Sequence, residues 1–214
     1  MKSFLVIGAG RFGHYLCRKL AEDGNQIMLV DREEEKMHDL LNHVTSARIG
    51  DCTHEEVLQT FGVEDFDACI VCIEEHFQNS LEVTWLLHQM GARRVYSLAA
   101  TEIQAKFLLR NGADEVIFPD RDMAERLAVR LDNDSVFDYI EITSDHSIFE
   151  ITVPQPWINK TIAEVEIRRT YHVSVLAAKR GDRLEMITSP DYRFTGQEHL
   201  LVMGKNEDVE RMLP

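Results

Sequence analysis

The sequence lacks both a long hydrophobic run and a surplus of basic residues. Its apolar runs, such as Phe4–Gly8 and Ile27–Val30, are far shorter than the ~20 residues that a membrane-spanning helix needs. Its 214 residues include 23 lysines and arginines against 37 aspartates and glutamates, a formal net charge of −14 at pH 7. Because such a surplus repels a phosphate backbone, we expect no nucleic-acid partner. The first residues run directly into a strand pattern, so we expect no secretory signal and a soluble cytoplasmic protein.

Disulfide frameworks and recognisable catalytic constellations are also lacking. The four cysteines, at positions 17, 52, 69 and 72, lie in or beside hydrophobic segments without disulfide-framework spacing. Cys69 and Cys72 form a C-x-x-C, but residues three apart on a strand point to opposite faces, so we predict two core residues. The nine histidines show no paired metal-ligand spacing, and no Ser/His/Asp or Cys/His arrangement is readable. We therefore expect a protein that is not an enzyme.

Residues 1 to about 118 alternate between strand and helix patterns. Most predicted strands have short, continuous apolar cores, which is typical of strands buried on both faces of a parallel sheet. Glycines at positions 24, 62, 91 and 112 stand where four of the intervening helices should end. Six such units predict an α/β fold with a Rossmann-like, doubly wound parallel sheet. The predicted strands are Phe4–Ile7, Gln26–Asp31, Ala47–Ile49, Ala68–Ile73, Arg94–Ala99 and Glu115–Phe118.

The pattern changes after a helix predicted over Met123–Asp132, whose apolar residues share one stripe. The polar run 132–135 breaks the helix, so we predict a nucleotide-binding domain over residues 1–135 and a small α+β domain over 136–214. About 75 residues bury little core alone, so we expect the second domain to pair with a copy of itself. Its predicted strands are Val136–Ile142, Ile148–Val153, Val173–Lys179, Leu184–Thr188 and His199–Gly204, and its predicted helices are Ile162–Arg169 and Glu207–Met212.

Residues 8–13 read Gly-Ala-Gly-Arg-Phe-Gly and fit the G-x-G-x-x-G fingerprint. They follow an apolar strand, open a helix and precede Asp31 by 18 residues, close to the ~20 expected. Gly8 permits the tight turn, Gly10 lets a pyrophosphate approach the backbone, and Gly13 lets helix and strand pack closely. Asp31 can accept hydrogen bonds from both ribose hydroxyls and would repel the 2′-phosphate of NADP. The alternative, a glycine-rich turn without a nucleotide, is disfavoured by this full context.

Two further segments are candidate ligand contacts. Arg11 could reach the terminal phosphates of ATP or ADP and form a bidentate contact, or it could be a solvated surface arginine. Asp51 and Thr53 follow the third strand, at the edge of the sheet where ligands bind in these folds. They could equally be an N-cap and turn pair for the helix that starts near His54.

These residues resemble the RCK family, in which a KTN or TrkA-N domain precedes a TrkA-C domain. The resemblance covers nearly the whole chain, and the Gly-Arg-Phe-Gly form is similar to the KtrA-like branch. The residues that carry it in the first part are the glycine turn, Asp31, Gly50–Thr53, Gly112–Asp114 and Pro119-Asp120. Those that carry it in the second part are Thr161–Glu164, Val173–Arg180, Gly196 and Leu200–Gly204.

The resemblance implies a cytosolic subunit that gates a Trk/Ktr-type potassium uptake channel, peripheral on the inner face of the cell membrane. It implies homodimers in an octameric ring whose shape changes as ATP and ADP exchange, with NAD or NADH as the alternative ligand. Some relatives bind a cyclic dinucleotide, a second messenger, at the TrkA-C dimer interface. Arg168, Arg169 and His172 could belong to such an anion pocket or be surface charges at a helix end.

The resemblance also implies roles for individual residues. The phosphates would lie along the glycine turn with Arg11 at the terminal phosphate, the ribose on Asp31, and the adenine by Asp51 and Cys52. Asp120 matches an acidic residue that helps to hold a divalent cation, Mg²⁺ or Ca²⁺, between two nucleotides, and phosphate oxygens must complete that site. The full predicted nucleotide-binding set is Gly8, Gly10, Arg11, Phe12, Gly13, Asp31, Arg32, Asp51 and Cys52.

The sequence departs from the family pattern at two strand ends. After the fifth strand, Ser97–Ala100 offers no lysine or arginine where the family often carries one that approaches phosphate. After the fourth strand, Glu74 and Glu75 replace small residues, and two carboxylates weaken anion binding unless they point away or share a cation. We therefore predict a missing phosphate contact and an atypical pocket.

Two other classes of Rossmann protein fit this sequence less well. An NAD-dependent dehydrogenase needs a substrate domain with an acid or base near the nicotinamide, and the second part supplies no obvious candidate. A DNA-binding redox sensor needs a basic recognition helix, which this acidic chain lacks. A regulatory subunit explains both the complete fingerprint and the missing chemistry.

Overall fold

The computed structural model describes residues 1–213, so Pro214, the last residue of the second predicted domain, lies outside the described residues. The chain divides into two compact units after Arg121. This division falls inside a helix, whereas the domain boundary predicted from the sequence follows the end of that helix.

The first unit contains a six-stranded sheet in the order β3-β2-β1-β4-β5-β6. All neighbouring strands run parallel, which confirms the doubly wound α/β prediction. The direction in which successive strands are added reverses between β1 and β4. A ligand crevice is therefore expected at the carboxyl ends of these two strands. The strands are β1 (Ser3–Ile7), β2 (Gln26–Asp31), β3 (Ser46–Ile49), β4 (Ala68–Val71), β5 (Val95–Leu98) and β6 (Glu115–Ile117).

Helices cover both faces of this sheet. They are α1 (Arg11–Glu22), α2 (Glu55–Gln59), α3 (Phe77–Gln89) and α4 (Glu102–Arg110), with short 3-10 helices at Glu34–Leu40 and Val63–Asp65. Gly24, Gly91 and Gly112 directly follow the C-cap residues of α1, α3 and α4, as predicted. Gly62 lies one residue further along, because α2 already ends at Gln59 and Thr60 is its C-cap.

Alternate residues of the central strands enter different hydrophobic cores. Leu5 and Cys69 pack into the core on one face of the sheet, and Val6 and Cys72 pack into the core on the other. Both faces of the sheet are therefore buried. The two cysteines of the C-x-x-C lie in different cores, which confirms that they are packing residues.

The second unit contains a five-stranded antiparallel sheet in the order β10-β9-β11-β8-β7. Its core is centred on Trp157 and Phe194, whose rings lie 5.5 Å apart. Its strands are β7 (Val136–Thr143), β8 (His146–Thr152), β9 (Ser174–Arg180), β10 (Arg183–Met186) and β11 (His199–Lys205). Most of α5 (Pro119–Asp132) lies in this unit, with α6 (Ile162–Val165), α7 (Ile167–Tyr171) and α8 (Asn206–Met212).

Several predicted elements differ from the observed ones at their ends, and three of these differences are instructive. β4 stops at Val71 rather than Ile73, which leaves Cys72 and Ile73 beyond the ladder. α5 begins at Pro119 rather than Met123, because proline suits the first turn of a helix. The helix predicted over Ile162–Arg169 is two helices, since Glu166 adopts a left-handed conformation with φ of 51°.

Candidate functional site

A cavity of about 610 Å³ lies at the carboxyl ends of four parallel strands in the first unit. The segments that line it follow β1, β2, β3 and β4, the central strands and their neighbours on one side of the sheet. This is the edge of a doubly wound sheet where ligands bind, because the loops there converge on the point of strand reversal. The lining segments are residues 7–11, 30–33, 50–53 and 72–76.

The glycine turn is shaped by close backbone contacts. Gly8 has a φ of 105°, and a Cβ there would lie 2.6 Å from the carbonyl oxygen of Cys72. A Cβ on Gly13 would lie 2.2 Å from the carbonyl oxygen of Gly8, so α1 meets β1 at a distance that only glycine permits. Gly8 and Gly10 line the cavity, whereas Gly13 is packed behind the turn.

Asp31 ends β2 beside the glycine turn. Its Oδ2 accepts a hydrogen bond of 2.6 Å from the backbone N–H of Ala9, and its Oδ1 accepts one of 2.9 Å from that of Glu33. These bonds fix the carboxylate at the cavity wall. Each carboxylate oxygen has a further lone pair, so Asp31 can still accept hydrogen bonds from a ligand's hydroxyls.

Asp51 and Thr53 form a turn but do not cap the following helix. Asp51 Oδ1 accepts hydrogen bonds from the backbone N–H of Thr53 at 3.0 Å and from its hydroxyl at 2.7 Å. The N-cap position of α2 belongs to His54, so the predicted N-cap role is wrong and the predicted turn is confirmed. The hydrogen bonds from Thr53 lower the pKa of Asp51 more than burial raises it, and nearby Arg32 adds to the lowering.

Arg32 and Cys52 also line the cavity. Arg32 approaches Asp51 with 3.7 Å between guanidinium nitrogen and carboxylate oxygen. Burial raises the pKa of the Cys52 thiol to about 12, and the charges of Asp51 and Asp31 add to this effect. A thiol with that pKa stays protonated at neutral pH, so Cys52 can contribute apolar contact but no nucleophile.

Arg11 lines the cavity and is exposed, whereas Phe12 does not line it. The Phe12 side chain packs against the core beneath α1, while its backbone N–H donates a hydrogen bond of 3.4 Å to Glu74. Glu74 therefore points at the glycine turn rather than away from it. Glu75 lines the same cavity.

Sequence reasoning missed four polar side chains in this cavity, those of Glu33, Lys36, His76 and Asn79. Lys36 lies on the 3-10 helix after β2 and pairs with Glu33 at 2.8 Å. Asn79 reaches the cavity from the first turn of α3. The three-residue spacing of Glu33 and Lys36 was the available signal, but it does not say which way a short helix faces.

Asp120 lies apart from these residues. It is exposed in the first turn of α5 and is not among the residues that line the cavity. Within residues 1–213, no group of three or more histidine, cysteine, aspartate or glutamate side chains could hold a metal ion.

Comparisons with known proteins agree with this geometry. Residues 4–119 match the TrkA-N domain family, and residues 147–214 match the TrkA-C domain family. Ktr system potassium uptake protein C of Bacillus subtilis is 35% identical over 212 residues, covering 98% of this chain and 95% of the relative. This chain belongs to the TrkA-N/TrkA-C family of Ktr potassium uptake proteins. Protein A of the Vibrio alginolyticus Ktr system is 30% identical over 214 residues, covering 99% of this chain and 96% of that one.

Solved structures share the fold of this Ktr-family chain. The GsuK RCK domain has a TM-score of 0.69 at 18% identity, and the GsuK channel bound to NAD has 0.58 at 23%. Each match covers 99% of this chain but 47% and 38%, respectively, of the other, so the chain spans less than half of either GsuK chain. Within residues 1–213, no helix is both long and apolar enough to cross a bilayer.

The TrkA-C unit of this Ktr-family chain has a cavity of about 450 Å³ between α7 and the loop after β10. Arg168 and Arg169 line it, together with Thr188 and Ser189, whereas His172 does not. Glu166 lines it as well and forms an ion pair of 3.2 Å with Arg169, which leaves a small net positive charge for an anionic ligand, with hydrogen bonds from the hydroxyls.

Proposed function

We propose that this Ktr-family chain is a cytosolic regulatory subunit that binds an adenine nucleotide and gates a membrane-embedded potassium transporter. The observation that carries the proposal is the cavity, in which the glycine turn, Asp31 and the Asp51–Thr53 turn meet at the carboxyl ends of parallel strands. The similar Ktr system proteins take part in potassium uptake. We assign no reaction to the chain, because the cavity's Cys52 is a protonated, buried thiol and the carboxylates of Asp31 and Asp51 are held in turns.

The proposed ligands are ATP and ADP in exchange, with NAD or NADH as the alternative. Gly8 and Gly10 would lie against the phosphates, Arg11 at the terminal phosphate and Asp31 at the ribose. Asp51 and Cys52 would border the adenine. The NAD complex of the GsuK channel supports the alternative, because that protein shares this fold.

A ligand gates by preferring one geometry of the assembly. A nucleotide that bound two ring geometries equally would shift nothing, however tightly it bound. Arg11 is suited to this differential role, because it is exposed at the cavity and can reach a phosphate that only one nucleotide carries. ATP and ADP would then stabilise different ring shapes.

The proposed assembly is a homodimer that forms an octameric ring on the cytoplasmic face of the membrane protein. α5 supports self-association, since Met123, Leu127 and Leu131 repeat every four residues and are all exposed. Helices of this kind normally bury such a stripe. A divalent cation at Asp120 would need phosphate oxygens from bound nucleotides, because the described residues provide no complete cluster.

A second-messenger dinucleotide is a proposed additional ligand of the TrkA-C unit. The cavity beside Arg168 and Arg169 is large enough for part of such a ligand and carries the positive charge that it requires. Two copies of the chain would share one molecule if the units pair.

Thermal unfolding with ATP, ADP, NAD and NADH, each with and without Mg²⁺, tests the main proposal. A ligand at about 100 times its Kd adds roughly 2.7 kcal/mol, which raises Tm by several degrees at ~2–4 °C per kcal/mol. Inorganic triphosphate is the matched control, since it carries the charge of ATP without adenosine. No shift with any nucleotide, or the same shift with triphosphate alone, would contradict the proposal.

A further inference from the structure

A carboxylate already lies at the N-terminus of α1. Glu74 Oε1 accepts a hydrogen bond from the backbone N–H of Phe12 at 3.4 Å and lies 3.6 Å from where a Cβ on Gly10 would be. Gly10 is the N-cap residue of this helix and has no side chain to cap it. The first turn of α1 contains no acidic residue, so Glu74 supplies the negative charge from the end of a neighbouring strand.

This position is the one that a bound pyrophosphate would take. In the glycine fingerprint, the second glycine leaves space for phosphate against the backbone, and the free N–H groups of the helix bind its oxygens. The Glu74 carboxylate uses both that space and one of those N–H groups. Carboxylate and phosphate cannot occupy it together, so a nucleotide must displace Glu74.

The cationic side chains around the cavity offset little of this negative charge. Arg32 faces Asp51 at 3.7 Å, and Lys36 pairs with Glu33 at 2.8 Å. Three cavity-lining residues of the described chain are arginine or lysine, namely Arg11, Arg32 and Lys36. Of these three, Arg11 has no carboxylate partner within 4.0 Å. Because Glu74 is exposed, its side chain can rotate aside, but its charge stays close to the phosphates.

We infer that Glu74 is a specificity-determining residue that lowers the affinity for nucleotides in proportion to their phosphate charge. This inference rests on the proposed nucleotide function. The reduction is largest for ATP, smaller for ADP and smallest for NAD, whose positively charged nicotinamide offsets one phosphate. Glu74 thereby raises the ratio of ATP to ADP at which the site becomes filled with ATP.

Calorimetric titration of the full chain with ATP, ADP and NAD tests this order in native protein and in Glu74→Gln. Glutamine keeps the shape of the side chain and removes its charge. We expect Kd to fall about tenfold for ATP, about fivefold for ADP and about twofold for NAD, with smaller gains at high salt. Glu64→Gln is the control, since Glu64 is an exposed glutamate of the same unit that does not line the cavity. We expect less than a twofold change for it.

Three outcomes would overturn the inference in distinguishable ways. If the native protein binds nucleotides and Glu74→Gln binds them equally or more weakly, Glu74 does not lower the affinity, but the proposed function is unaffected. An equal gain in affinity for ATP, ADP and NAD, seen in Glu74→Gln and again in Glu74→Ala, would show that the Glu74 side chain excludes nucleotides by its volume and not by its charge. Binding of no nucleotide by native protein or by either variant, with unchanged Tm, would remove the proposed function as well.

Discussion

In the proposed site, Arg11 is the side chain at the glycine turn that would distinguish nucleotides by their terminal phosphates. It is exposed and lines the cavity, whereas the neighbouring Phe12 packs beneath α1. We predict that Arg11→Ala raises the Kd for ATP about tenfold and changes that for NAD much less, because charge-assisted bonds to phosphate are strong and NAD has no terminal phosphate. Isothermal titration with both ligands measures the difference. Arg18→Ala, on the same helix and outside the cavity lining, is the control. Equal losses for ATP and NAD would contradict the assignment.

In the proposed site, Asp31 would contact any ligand that contains a ribose. Its carboxylate is held by the backbone N–H groups of Ala9 and Glu33. We predict that Asp31→Ala weakens ATP and NAD alike, by about tenfold or more, since both lose acceptors for the ribose and the glycine turn loses its anchor. Fluorescence or calorimetric titration measures both affinities. Asp39→Ala, an exposed aspartate on the nearby 3-10 helix, should bind both ligands as the native chain does. Unchanged binding by Asp31→Ala would remove Asp31 from the site.

At the scale of the element, the loop before β11 is built around a buried carboxylate. Glu198 is 1% exposed and accepts hydrogen bonds from the backbone N–H groups of Thr195 and Gln197 and from the Thr195 hydroxyl. Burial raises its pKa, but the hydrogen bonds, chiefly those from Thr195, and the positive charge of Arg180 together outweigh burial and hold the pKa below its usual value of 4.5. A carboxyl with a depressed pKa stabilises the fold above its unfolded pKa, and the contribution is lost as pH falls through the folded pKa.

We therefore predict that Glu198→Gln lowers the free energy of unfolding by about 2 kcal/mol at pH 7, because an amide NH₂ then faces buried donors. The deficit should shrink as the pH falls below 4.5 and through the lowered pKa of native Glu198, where its carboxylate also becomes protonated. Urea unfolding followed by the fluorescence of buried Trp157, in the same unit, measures it. Glu185→Gln is the control. Glu185 lies near the same Arg180 guanidinium as Glu198, but it is exposed. A deficit independent of pH would contradict the ionic role of Glu198.

The pattern of apolar residues located most helices and strands. Strands that are buried on both faces of the sheet show as continuous apolar runs, such as Ile70–Ile73. The pattern did not locate the ends of the elements, which depend on long-range contacts. β4 stops at Val71 because the chain turns into the cavity there, and Glu166 breaks a helix that shows no glycine or proline signal. At the site, the spacing of Gly8 and Asp31 predicted their proximity, since both follow neighbouring strands. The direction of Glu74 was unpredictable, because it depends on where an exposed side chain finds a free N–H.

At the scale of the whole molecule, α5 is an amphipathic helix whose apolar stripe has no cover within the described chain. None of its residues is buried, and Leu127 and Leu131 are 47% and 75% exposed. Beside this stripe, Arg126 forms a bidentate ion pair with Asp138 of β7, which fixes the helix on its own unit. The exposed stripe therefore has a fixed orientation on its unit. A surface that binds a second copy of the chain needs such a fixed orientation.

If the chain forms the proposed oligomer through α5, we predict that Leu127→Asp converts it into smaller species, because each copy would place a charge in an apolar interface and the symmetry of a dimer doubles the effect. Light scattering behind size-exclusion chromatography measures the mass, and thermal unfolding checks the fold. Leu41→Asp is the matched control, since Leu41 is 50% exposed in the TrkA-N unit. If the ring transmits the ligand signal, Leu127→Asp should still bind nucleotide at the TrkA-N cavity while losing any nucleotide-dependent change in mass or shape. If the assembly of Leu127→Asp has the same mass as that of the native chain, the interface does not include α5.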